Sequence, residues 1–294
     1  MTDIDKRVEN WVFLGDSLTE GVGSSRISYV NELAEYLRQA AKDQSVHVMR
    51  LRQVNPSAFD RFVQFNLAGF LTTDQSERER SLWLWNFACE GRTIENDREW
   101  FPLLANLRPS LVVLLRGGLE SIIRPTALRS NCWPWWVPSS WRVGVSMDPR
   151  CYFSTTWWRY AKQRAIDAIK QKTRLRLLAQ SQGIPLMDAD TLLGHYRELV
   201  EQLIAMRLPV LVLGLIPPMA TTFPGSIANF QAVNHRLREM TGATGAEFFD
   251  WDLELPQGDD RHSLFYRDGF HPNAHGARIM GQVLAQYLVG RMSV

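Results

Sequence analysis

Two short stretches of the chain hold side chains whose types and spacing could do chemistry. Gly15-Asp16-Ser17-Leu18 follows directly on the apolar run Trp11–Leu14. A Ser at a strand-to-helix turn can present its hydroxyl above a sheet edge, where nearby backbone N–H groups stabilise developing negative charge. Asp268-Gly269-Phe270-His271-Pro272 stands just before the last helical stretch. An Asp and a His three apart on a tight turn can hydrogen-bond, which holds the imidazole in one tautomer and leaves its other nitrogen free as a base. A helix starting near Asn273 disfavours imidazolium through its dipole, and Asp268 offsets this. Taken singly, each stretch also has a plain reading. Ser17 or Thr19 can be a helix cap, and Asp268-Gly269 can be a turn carrying a surface His. Taken together, they set a Ser, an Asp and a His at sheet-edge positions.

The elements that must position them follow from periodicity. Trp11–Leu14, closed by Gly15, predicts a buried strand. Ile27, Val30, Leu33, Leu37 and Ala40 recur at helical spacing. Val46–Val54 predicts a strand, Ala58–Leu71 a helix, Thr72–Ser81 a polar loop and Leu82–Phe87 a strand. A helix is predicted over Ile94–Asn106 and a buried strand over Leu111–Leu115, closed by Gly117-Gly118. Helices follow over Trp157–Gln180, with Ile166, Ile169, Thr173 and Leu177 near one face, and over Thr191–Met206. Val210–Ile216 predicts a strand, Ser226–Met240 a helix and Ala246–Asp250 a strand. The final helix carries Ile279, Met280, Val283, Leu284, Tyr287 and Leu288 as one stripe. Strands alternating with helices imply a mostly parallel sheet covered on both faces. The sites of such sheets lie beyond the carboxyl ends of the strands.

Composition narrows the class. The chain has 294 residues, 45% apolar and 22% charged, with 14 Phe, 11 Trp and 7 Tyr. That is ample core material, so disorder is disfavoured. A net charge of +2 argues against a general nucleic-acid binder. Cys89, Cys132 and Cys151 cannot complete a disulfide framework, and no CxxC pair suggests zinc. His271 and His275 have Pro272 and a helix start between them and no third ligand, so no metal is expected. His47, His195, His235 and His262 read as structural or surface residues. No apolar signal segment or membrane-length run is present, so the chain reads as cytoplasmic.

With both stretches in view, the sequence resembles the SGNH hydrolase superfamily, also called the GDSL esterases. Gly15-Asp16-Ser17-Leu18 matches that family's first block, and Asp268-x-x-His271-Pro272 its last. The resemblance implies a flavodoxin-like three-layer α/β/α sandwich, and it gives Ser17 the role of nucleophile and Asp268 and His271 those of its partners. Asn86-Phe87-Ala88-Cys89-Glu90-Gly91-Arg92-Thr93 is similar to the second block, whose Gly supplies an oxyanion N–H. Gly91 inherits that role beside the N–H of Ser17; its plain reading is a turn glycine.

The third block departs from the family. Its usual Gly-x-Asn-Asp falls on Gly117-Gly118-Leu119-Glu120, which puts Leu119, a residue without a donor, where the second oxyanion Asn would be. Losing one such donor typically costs roughly 2.7–4 kcal/mol. Asn131 or Arg116 could replace it, the backbone groups could suffice, or the enzyme could be slow or specialised.

Residues 121–156 break the strand–helix rhythm and read as a lid or substrate insertion within one domain spanning 1–294. Between 121 and 176 the chain carries eleven Lys/Arg against Asp148 and Asp167, leaving the remainder at −7. Trp133, Trp135 and Trp136, with Arg116 at the strand end, are the candidate substrate-binding residues. Trp faces can stack on sugar rings or line an acyl pocket, and Arg can hold phosphate or carboxylate. A solvated basic helix with buried Trp is the plain alternative.

The reading that follows is a cofactor-free serine esterase that cleaves a carboxylic ester, with a carbohydrate O-acetyl group preferred and a lipid or thioester acyl group close behind. An acyltransferase on the same three residues is one alternative. A degenerate ester- or glycan-binding or scaffold protein is the other, favoured by Leu119 and disfavoured by the intact Ser, Asp and His. A small-molecule or glycan ester is the expected partner, and an acidic carrier protein also suits the basic segment. Nucleic acid is not expected.

Overall fold

The structure, a computed structural model, describes residues 9–22, 27–40, 45–50, 81–143, 145–148 and 156–292. Strand β1 (Glu9–Gly15) buries Trp11 through Leu14 almost completely. Strands covered on both faces read as continuous apolar runs rather than alternating ones, which is why β1 was visible as a block. The same holds for β4 (Leu111–Leu115) and β7 (Val210–Leu213), whose side chains are nearly all buried. Each fully buried Leu, Val or Phe contributes about 1.5–3 kcal/mol relative to exposure. With β2 (Ser45–Arg50), β3 (Ser81–Asn86) and β8 (Glu247–Phe249), these strands form one sheet in the order β2-β3-β1-β4-β7-β8. Every pairing in it is parallel.

Without the edge strand β2, this order is the 2-1-3-4-5 of flavodoxin-like sheets, with the reversal at β1 and β4. Helix α1 (Ser17–Glu20) follows β1 directly, and α2 (Tyr29–Ala40) comes next. The larger helices downstream are α3 (Trp157–Gln180), α4 (Ala189–Ala205), α5 (Ser226–Thr244) and α6 (Ala274–Met292). Helix α2 packs against α6, and α4 packs against α5. One continuous apolar cluster joins the sheet to these four helices.

Several expectations are refined. The segment predicted as a single helix over 94–106 is a 3-10 helix, Ile94–Trp100, followed by an α-helix, Phe101–Leu107. Pro102 explains the break, because a proline fits the first turn of a helix but not its interior. The strand predicted to reach Ile216 stops at Leu213. The Asn234 side chain takes both the N–H and the carbonyl of Leu215, at 2.6 and 2.8 Å, in place of a neighbouring strand. Within 121–156 the chain forms β5 (Ile123–Pro125), which pairs antiparallel with β6 (Gly183–Pro185). The predicted stripe on α3 is also corrected. Leu177 is buried, but Ile169 is 56% exposed, and the buried residues beside Leu177 are Asp167 and Arg174. The helix expected over Ala58–Leu71 and the loop before Ser81 lie outside the described residues, as does the end of the strand predicted over Val46–Val54.

Candidate active site

The turn from β1 into α1 is fixed by three residues. Asp16 is the N-cap and accepts the Leu18 N–H at 2.9 Å. Ser17 occupies the first helical position, where a backbone N–H has no acceptor within the helix. Gly15 has to be glycine, because a Cβ there would stand 2.1 Å from Thr19 Oγ1. Asn86, buried at the end of β3, ties the next loop to this turn. Its amide donates to the Thr19 carbonyl at 2.8 Å, and its oxygen accepts the Ala88 N–H at 3.0 Å. The Cys89 N–H adds a bond to the Gly15 carbonyl at 3.1 Å. Gly91 follows on this loop with φ of 73°, exposed, and with open space beside its Cα.

The second piece is the turn Tyr266–His271. The Gly269 N–H donates to the Tyr266 carbonyl and the Tyr266 N–H to the His271 carbonyl, each at 2.8 Å. Gly269 has φ of 67°, and a Cβ on it would meet Met219 and Thr222 at 2.8 Å. Phe270 is buried where its ring lies against Gly118, at the end of β4. Asn273 begins α6 and accepts the Gly276 N–H at 3.0 Å.

The two pieces meet. Ser17 Oγ lies 2.8 Å from His271 Nε2, and His271 Nδ1 lies 2.7 Å from Asp268 Oδ2. The other Asp268 oxygen accepts the N–H groups of Phe270 and His271, each at 3.0 Å. Burial alone would raise the Asp268 pKa. The hydrogen bond and charge of His271, helped by the two N–H donors, outweigh it and hold the carboxyl below its ordinary range. A hydroxyl, an imidazole and a buried carboxylate in this sequence can move a proton off Ser17 as it attacks a carbonyl. Cys89, on the neighbouring loop, has its thiol pKa pushed up, first by burial and then by the Glu20 charge, which disfavours a thiolate.

Beneath the site is a buried charge cluster that sequence reading missed. Arg116 is fully buried, with Nε 2.7 Å and Nη2 2.5 Å from the two Asp97 oxygens. Its Nη1 donates to the Arg92 carbonyl at 3.2 Å, in the loop next to Gly91. Its backbone exchanges hydrogen bonds with the Tyr196 hydroxyl. The expectation of Arg116 as a substrate-binding or oxyanion residue is therefore corrected, since its guanidinium is committed to Asp97 and has no exposed surface. Glu120 accepts the Ile94 N–H at 3.3 Å, and burial, with Asp16 adding to it, raises its pKa to about 7. Burial likewise raises Asp16, against the pull of Arg116. Asp97 lies 19 residues from Arg116 with no motif linking them, so nothing local marked the pair.

The tryptophans divide. Trp133 packs on Val137, Met147 and Leu177, Trp136 lies under the Arg176 guanidinium at 5.4 Å, and Trp135 is 89% exposed. The Leu119 side chain has no donor, and its carbonyl accepts Arg124 Nη1 at 2.7 Å. Asn131 is exposed and ends a short helix in the left-handed conformation. Arg124 and Arg174, two of the basic residues of this region, are buried. Arg124 bonds Asp148 at 2.7 and 3.0 Å, and Arg174 bonds the carbonyls of Thr222 and Ile123 at 2.6 Å. A cavity of about 360 Å³ is lined by Pro217, Met219, Ile227, Arg261 and Phe265, among others, but not by Ser17 or His271. Among the described residues, no group of three or more His, Cys, Asp or Glu could hold a metal ion. None of the described helices is long and apolar enough to cross a membrane.

Comparison with known proteins agrees with this architecture. The model of the GDSL-like lipase/acylhydrolase family matches residues 13–279. A lipase/acylhydrolase from Enterococcus faecalis superposes with a TM-score of 0.53 at 11% identity, over 96% of each chain. A G-D-S-L family protein from Desulfitobacterium hafniense gives 0.50 at 11% identity, over 94% of this chain and 98% of its own. The lipase Lip_vut3 from a goat rumen metagenome gives 0.50 at 12% identity, over 95% of this chain and 96% of its own. None of the curated proteins compared matches the chain.

Proposed function

The chain belongs to the GDSL-like lipase/acylhydrolase family, and from that premise we propose that it is a serine ester hydrolase working through an acyl-enzyme on Ser17. The observation that carries the reading is the continuous hydrogen-bonded line from Ser17 Oγ through His271 to the buried Asp268.

In this reading Ser17 Oγ attacks the ester carbonyl while His271 Nε2 takes its proton. The oxyanion forms against the backbone N–H groups of Ser17 and Gly91. His271 then gives the proton to the leaving alkoxide, which departs as the alcohol. A water molecule, losing its proton to His271, attacks the acyl-Ser17 ester, and His271 returns that proton to Ser17 Oγ as the acyl–Oγ bond breaks and the acid leaves. Asp268 keeps Nδ1 protonated throughout and stabilises the imidazolium that forms in both steps.

The ester we favour is a carbohydrate O-acetyl group, with Trp135 as the tryptophan whose face is free for a sugar ring. The test is hydrolysis of a short-chain aryl acetate and of an acetylated sugar by wild type, S17A and H271A. Loss of both activities in both variants, with folding intact, is the expected result. Hydrolysis that survives in S17A would place the nucleophile elsewhere.

A further inference from the structure

Helix α3 buries two charged residues and exposes several large apolar ones. Of its 24 residues, Asp167, Arg174 and Leu177 are buried, while Trp157 is 79%, Trp158 52%, Ile169 56% and Leu175 38% exposed. Charged residues are normally the exposed ones, and a run of large exposed apolar side chains marks a contact surface. The inward face has a structural explanation. Arg174 bonds two backbone carbonyls and stacks on Phe223 at 4.6 Å, and Asp167 meets Arg267 at 3.3 Å. On the outward face, Arg176 lies over the Trp136 ring at 5.4 Å and Arg159 over the Trp158 ring at 5.2 Å, and these contacts leave Trp157, Trp158, Ile169 and Leu175 exposed.

At 100° per residue, Trp157, Trp158, Ile169 and Leu175 share the outward side with Lys162, Lys172 and Arg176, and Arg164 lies on its border. These four basic residues are exposed. The helix carries a single acidic residue, the buried Asp167, so the outward face is free of negative charge. It is about 36 Å long, with its basic residues spread along it and its two indoles at one end.

We propose that this face of α3 docks the protein onto an anionic lipid surface. Trp rings settle at the headgroup level, aliphatic side chains dip below it, and Lys and Arg stems extend so that their charges stay among anionic headgroups. The chemistry separates this occupant from a second copy of the chain, which would set one basic face against another. It also fits the charge segregation of the chain, since residues 121–176 carry the positive surplus and the rest is net negative. The helix lies on the surface rather than spanning it, in keeping with its Lys and Arg content.

The test is co-sedimentation of the full-length protein with phosphatidylcholine vesicles, with and without phosphatidylglycerol. Wild type binds the anionic vesicles and not the neutral ones, and raised salt releases it. The Lys162→Glu and Lys172→Glu pair weakens partitioning by about thirtyfold or more. The Trp157→Ala and Trp158→Ala pair also loses vesicle binding, with the thermal midpoint of both pairs matching wild type. Soluble polyglutamate is the comparison probe. Retention on polyglutamate without vesicle binding would replace the lipid surface with an acidic protein partner. Equal binding to both vesicle types, binding to neither, or unchanged binding of the charge-reversed pair would overturn the proposal.

Discussion

Asp268 holds His271 at two points: one carboxylate oxygen lies 2.7 Å from ring Nδ1, and the other accepts the His271 backbone N–H at 3.0 Å. The side chain and the backbone of His271 are thus referenced to the same buried group. The ring has one orientation available, with Nε2 toward Ser17.

The first prediction concerns that double contact. In D268N the amide oxygen can still accept the two backbone N–H groups, but the amide nitrogen then faces Nδ1. The ring is forced into the other tautomer, and Nε2 can no longer act as a base. kcat for an aryl acetate falls on the order of 10⁴-fold with the fold intact. A loss of less than about tenfold in steady-state kinetics would contradict the assigned role.

Glu120 sets a pH dependence of stability. Its pKa rises from 4.5 to about 7 on folding. Across that interval the folded protein binds more protons than the unfolded chain, so this group's contribution falls as pH rises. E120Q keeps an acceptor for the Ile94 N–H and removes the titration. Relative to wild type, the variant gains on the order of 2–3 kcal/mol between about pH 5 and about pH 8. Urea unfolding at the two pH values measures it, and parallel behaviour of the two proteins would refute it.

Gly269 couples backbone geometry to catalysis. Alanine there is strained at φ of 67° and meets Met219 and Thr222. G269A loses at least about 1–2 kcal/mol of stability. Because the turn carries both Asp268 and His271, kcat drops more than KM rises. A variant with wild-type kinetics and midpoint would show that the turn tolerates displacement.

Arg116 is predicted to act on folding rather than on substrate. R116M leaves Asp97 buried and unpaired and costs about 3–5 kcal/mol, and adding Asp97→Leu recovers part of this. KM of the folded fraction stays at the wild-type value. A stable R116M with raised KM would restore the substrate-binding reading.

The sequence made some of this legible and hid the rest for physical reasons. The Gly15–Leu18 turn and the Asp268–His271 turn are local, so residue order alone displays them. The strands β1, β4 and β7 announce themselves because burial on both faces needs unbroken apolar runs. The role of Arg116 was hidden because its partner Asp97 comes from the 3-10 helix Ile94–Trp100 and no periodicity links them. Likewise, Arg124 of β5 pairs with Ile184 of β6, after the whole of α3. On α3 the expectation failed at Ile169, because Arg174 and Asp167, buried by long-range partners, take inward positions that apolar side chains would otherwise fill, while Leu177 is buried. Trp133 and Trp136 looked free for substrate, but each has a neighbour far along the chain.

The central claim is an activated Ser17, and covalent labelling tests it most directly. The wild-type protein is treated with a fluorophosphonate probe, weighed intact and mapped by peptide mass spectrometry. One adduct per chain on Ser17, absent in S17A and strongly slowed in H271A and D268N, is the predicted result. A folded wild-type protein that takes no label, or takes it on another residue, would contradict the account.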